Sequence, residues 1–125
     1  MIVGVGLDLL EVRRVRRALE AHGGRFEDRV FTEGEMEDCR GRTDRAQALG
    51  ARFAAKEACL KALGTGWSQG LSFQQVEVVR LDGGKPGIRL HGKARERAQA
   101  LGVRAVHVSL THQPGVAAAV VVLEG

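Results

Sequence analysis

The stretch from residue 52 to residue 66, RFAAKEACLKALGTG, leaves this chain the fewest ways to fold. At 100° per residue it is helical: Phe53, Glu57 and Leu60 share one face and Ala54, Ala58 and Ala62 line another. Cys59 and Leu63 fill most of the directions that remain. A helix apolar on nearly every side belongs at the centre of a fold. Yet Arg52, Lys56, Glu57 and Lys61 lie in it, and charges held away from water need partners. The identity of those partners is the functional question. The helical pattern extends back to about residue 45, and Gly64 is placed to stop it.

The rest of the chain supplies what such a helix packs against. Residues 2–7, IVGVGL, read as a short buried strand whose glycines permit close approach of another backbone. A helix follows over about 9–21, ended by HGG, and Thr32 with Glu35 forms a capping box for a short acidic helix. FQQVEVVRL (73–81) has strand composition, DGGKP is a turn, and GIRLHG is its return strand. Residues 92–101 alternate charge and alanine at helical spacing up to Gly102; AVHVSLT and VAAAVVVLE then form a hairpin through HQPG. This order predicts one α+β domain over residues 1–125, a mostly antiparallel sheet packed on the long central helix. The last two runs carry more apolar surface than one small sheet under few helices can hide.

Composition narrows the class. A chain of 125 residues, 44% hydrophobic and 27% charged, suits one globular domain. No apolar run reaches membrane-spanning length, and MIVGVGLDLLEV has no basic region before its apolar stretch. Cys39 and Cys59 are far apart and form neither a disulfide framework nor a zinc motif. A soluble cytoplasmic protein is expected. The net charge of +4 favours an anionic partner, with Arg13, Arg14, Arg16 and Arg17 crowded on one helix. A small basic nucleic-acid-binding module is the alternative reading. Four Phe, one Trp and no Tyr make a poor stacking platform, and no helix-turn-helix, RRM or KH signature is present.

Two carboxylates stand out. Asp8 closes the first strand, and Asp8-x-x-Glu11 fits a capping box; Glu57 fits an i,i+4 pair with Lys61. Alternatively both hold Mg²⁺, which takes one or two protein carboxylates and completes its shell with waters and phosphates. Lys56, Lys61 and Arg52 would then offer cations to phosphate oxygens. Local pattern leaves both readings open.

Longer motifs discriminate between them. GVGLDLLEVRRV (4–15), RFAAKEACLKALGTG (52–66), LSF (71–73), GKP (84–86) and HVSLTH (107–112) closely resemble the holo-[acyl-carrier-protein] synthase family, the small bacterial 4'-phosphopantetheinyl transferases. The match runs in order over essentially the whole chain. It implies the fold of that family, transfer of the phosphopantetheine arm of coenzyme A to a serine of apo-acyl carrier protein, release of adenosine 3',5'-bisphosphate, and a place in fatty acid biosynthesis. It implies that Asp8 and Glu57 are Mg²⁺ ligands and that Lys61 steadies the leaving phosphate. Arg52, Lys56, Lys61 and Gly64 match residues that hold coenzyme A phosphates. Pro86, His107, Thr111 and His112 match segments around its nucleotide end, with Ser109 in the same strand. Arg13, Arg14 and Arg17 match the helix that receives acyl carrier protein. The resemblance further implies a homotrimer with sheets at the interface and active sites between subunits. The base is open between a water on the ion and Glu57. Trp67 stands where a smaller aliphatic residue is common, which bears on the pantetheine channel, and Cys59 reads as core packing.

Overall fold

The computed structural model describes residues 1–64 and 70–125. Its frame is a three-stranded antiparallel sheet in the order β1-β5-β4, from β1 (Ile2–Glu11), β4 (Ala105–Gln113) and β5 (Val116–Glu124). Leu7 pairs with Val120, which pairs with Ser109, and this register fixes which side chains share a face. Along β1 the even positions turn inward, Leu10 buried among them, while Val3, Val5, Leu7 and Leu9 stand exposed on the opposite face.

The inward face receives α4 (Arg45–Leu63), which packs on β1 and β5. The close approach anticipated from the first glycines is real. A Cβ on Gly6 would lie 1.8 Å from the Ala58 carbonyl oxygen, and one on Gly4 2.3 Å from that of Ala62. Only glycine lets this strand and this helix touch backbone to backbone. On its other sides α4 meets α1 (Val12–His22), α3 (Glu33–Cys39), α5 (Gly92–Ala100) and the second sheet, an antiparallel pair of β2 (Val76–Arg80) and β3 (Pro86–Leu90). Surrounded in this way, α4 buries Leu49, Ala54, Ala55, Ala58, Cys59, Leu60 and Leu63, as its apolar periphery predicts.

Three local readings shift. The first strand does not stop at residue 7: its ladder with β5 continues to Glu11–Val116, so α1 begins only at Val12. Asp8 is therefore a mid-strand residue, not an N-cap, and Glu11 in the cap position makes no side-chain capping bond. Continuous pairing satisfies the backbone there, and the local capping option is not needed. A further helix, α2 (Gly24–Val30), follows the HGG break. A 3₁₀ turn at Phe73–Gln75 replaces the first part of the strand read over 73–81. The capping box is present, with Thr32 Oγ1 accepting from Glu35 N at 3.2 Å and Glu35 Oε1 accepting from Thr32 N at 2.9 Å.

Candidate active site

Extension of β1 to Glu11 carries Asp8 across the flank of α4 with its carboxylate on the helix side. There Lys61, from the last turns of α4, donates to Asp8 Oδ1 and to the Leu7 carbonyl oxygen, both at 3.0 Å. In place of the i,i+4 pair with Glu57, one of the two local readings, Lys61 thus makes a bridge to another element. Glu57, one turn earlier, feels Lys61 only as a field. Its pKa is raised above the ordinary carboxylate value, by burial first and by the Asp8 charge second, with Lys61 and Arg14 pulling the other way.

These four groups line one cleft of about 510 Å³ between β1, α1, α2 and α4. Asp8, Glu57 and Lys61 form its polar end with Arg14. Phe26 and Phe53, stacked at 6.1 Å between centroids and 12° apart in plane, form an apolar wall. An anionic head with an apolar tail has a place at each end. The oxygen-only donor pair also fits Mg²⁺: both carboxylates line the same end of the cleft, and the Asp8 charge acts on Glu57. Among the described residues no group of three or more His, Cys, Asp and Glu could hold a metal unaided. A cation here would complete its shell with water and ligand oxygens, as Mg²⁺ commonly does.

The remaining candidates do not share this cleft. Lys56 is a correction to the reading from resemblance. Its side chain is fully buried, with Nζ 2.6 Å from Glu35 Oε1 and donating to the carbonyl oxygens of Val76 at 2.7 Å and Phe73 at 2.9 Å. Burial lowers its pKa, Glu35 opposing, and no part of it is open to a phosphate. Arg52 is also buried; it donates to the Ala48 carbonyl oxygen at 3.3 Å, lies 3.9 Å from Asp38, and its Nε has no partner among the described residues. It faces α3 instead of Asp8 and Glu57.

Gly64 caps α4 in the left-handed conformation at φ 81°, where a side chain would be strained. Pro86 opens β3. His107, Ser109 and Thr111 lie on the outer face of the large sheet, where His107 Nε2 is 2.8 Å from Glu124 Oε1. Thr111 and His112 border a shallow hollow beside Leu9. On α1, Arg13 pairs with Glu11 at 2.9 Å, Arg14 enters the cleft, and Arg17 is exposed. Trp67 lies outside the described residues.

Sequence reasoning missed Glu35 as the partner of Lys56, because its first oxygen already had a local use in the capping box. Its second oxygen accepts from Val78 N at 2.7 Å, a contact 43 positions away in the chain. Phe53 could have been found as cleft wall, since it shares the Glu57 face. Phe26, on a helix that was not read, could not.

A family model described as the 4'-phosphopantetheinyl transferase superfamily matches residues 4–121, from the first glycine of β1 into the last strand. The chain belongs to that superfamily. It is 51% identical, over 99% of its length and 94% of the relative's, to a holo-[acyl-carrier-protein] synthase of Methylobacterium radiotolerans. The crystal structure of the synthase from Neisseria meningitidis superposes with a TM-score of 0.89 at 31% identity, covering 100% of both chains. A third protein, the Bacillus anthracis synthase solved in complex with coenzyme A (3',5'-ADP), matches at TM-score 0.81 and 35% identity over 100% of this chain and 98% of its own. The α+β arrangement anticipated from the element order is therefore that of the 4'-phosphopantetheinyl transferases.

Proposed function

We propose that the protein is a holo-[acyl-carrier-protein] synthase, moving the 4'-phosphopantetheine group of coenzyme A to a serine of apo-acyl carrier protein. The observation that carries this is the convergence of Asp8, Glu57, Lys61 and Arg14 in one cleft with an apolar wall. A general polyanion-binding module has no use for two facing carboxylates at the end of such a cleft.

In the reaction the serine Oγ attacks the β-phosphorus and the bond from that phosphorus to the bridging oxygen breaks. Adenosine 3',5'-bisphosphate leaves, and the serine proton passes to a base. Asp8 and Glu57 would hold Mg²⁺, which supplies charge neutralisation and in-line orientation of the diphosphate when bound. The serine proton would pass to Glu57 or to a water held beside it. Lys61 orients Asp8 and lies beside the position for a leaving phosphate. Phe26 and Phe53 offer surface to the pantetheine arm, and the arginines of α1 receive the acidic carrier protein.

His107, Thr111, His112 and Pro86 lie apart from the cleft within one chain, so their part in binding coenzyme A calls for a neighbouring copy. The exposed face of Val5, Leu7 and Leu9 supports a homotrimer with sites shared between subunits. Such an enzyme of fatty acid biosynthesis would act in the cytoplasm; no helix among the described residues is long and apolar enough to cross a membrane. Intact-mass analysis of apo-acyl carrier protein incubated with the protein, coenzyme A and Mg²⁺ tests the reading. A single phosphopantetheine addition is expected, lost with a chelator and in Asp8→Ala. An unmodified carrier protein under complete conditions would refute it.

A further inference from the structure

The C-terminal end of α4 poses an electrostatic problem. Gly64, which the family resemblance matches to residues that hold coenzyme A phosphates, closes a 19-residue helix at the end where aligned peptide dipoles leave about half a negative charge. Free carbonyl oxygens there repel an anion. Two of them, on Leu60 and Lys61, accept from the Gly64 N–H. The Leu63 carbonyl oxygen has a different partner: Arg97, on α5, donates to it from Nε at 3.1 Å across 34 positions of sequence. The guanidinium extends past the helix end, with Nη2 only 3.8 Å from where a Cβ on Gly64 would stand. Arg97 is half-buried, and among the described residues the bond from Nε leaves the Nη groups as donors beside the glycine. Lys61, already bound to Asp8, is the other cation of the last turns.

We propose that Arg97 determines affinity for the phosphate-bearing substrate: docked on Leu63, it converts the end of α4 from anion-repelling to anion-accepting. This rests on the proposed transfer from coenzyme A and on the resemblance that matches Gly64 to its phosphate site. A simple helix cap would need a donor at Leu63 and no charge; an anion seat needs the charge. Arg97→Gln keeps a donor without the charge, and Arg97→Lys keeps the charge.

Steady-state transfer with each variant separates the two. Arg97→Gln is expected to raise the KM for coenzyme A about tenfold, with the KM for acyl carrier protein unchanged, while Arg97→Lys stays within about threefold of the parent. A lowered melting temperature with an unchanged coenzyme A KM would reduce Arg97 to a cap and overturn the proposal. Should Arg97→Gln fail to fold, Arg97→Met, which keeps the unbranched stem, is measured against the same criterion. Absence of transfer by the parent protein would instead refute the functional reading and this inference with it; an active parent with insensitive variants would refute the inference alone.

Discussion

Glu57 is costly to ionise where it sits. Its folded pKa is raised by burial and by Asp8, so ionisation at neutral pH destabilises the fold relative to the unfolded chain, where the carboxyl titrates normally. The penalty is absent below the unfolded pKa and develops as pH rises through the folded one. Glu57→Gln should therefore melt above the parent at pH 7, the difference closing by about pH 4, while transfer falls at least ~100-fold. Mg²⁺ should raise the melting temperature of the parent and not of the variant, by linkage. A variant less stable than the parent at neutral pH would contradict this account. Lys56 presents the opposite case, a charge fully satisfied by Glu35 and two carbonyl oxygens. Lys56→Met strands the buried Glu35 carboxylate and should cost ~3–5 kcal/mol in urea unfolding. A loss under ~1 kcal/mol would show that the pair does not hold α3 and β2 to α4.

Between elements, the contact of β1 with α4 sets the spacing of the two carboxylates. Gly6→Ala puts a methyl group 1.8 Å from the Ala58 carbonyl oxygen, against backbone that cannot swing aside. The strand must lift, taking Asp8 with it. More than ~3 kcal/mol of stability and most of the activity should be lost, and a thermal melt alongside the transfer assay checks both. On α1 the arginines divide. Arg14 enters the cleft and acts on Glu57, so Arg14→Glu mixes docking with chemistry. Arg17, exposed on the same helix, reports docking alone. Arg17→Glu should raise the KM for acyl carrier protein about tenfold and spare that for coenzyme A. The parent KM for the carrier should rise with salt as exposed charges are screened. A change confined to coenzyme A would assign Arg17 to the nucleotide.

For the whole molecule, the uncovered sheet face is the feature that one chain cannot explain. Val5, Leu7 and Leu9 are 57%, 66% and 72% exposed, in register with Val122, Val120 and Ala118 of β5. Light scattering should give three times the 13.5 kDa chain mass, and Leu7→Glu should give the monomer with its transfer activity lost. A parent protein that stays monomeric at micromolar concentration would remove the shared-site account of His107, Thr111 and His112.

What short-range physics encodes is legible in the chain. The central burial of α4 follows from its all-round apolar surface, the start of α3 from Thr32 and Glu35, the end of α4 from Gly64, and the approach of β1 from Gly4 and Gly6. The ordered motifs determined the family. Tertiary structure alone decided which charges meet. Lys61 turns to Asp8, 53 positions away, instead of to Glu57 one turn away; Lys56 turns to Glu35, and Asp8 joins a strand instead of a cap. Capping and periodicity act over three or four residues and leave their mark in the local pattern. A buried charge takes whichever partner packing brings within reach, and that choice leaves no periodic mark in either segment.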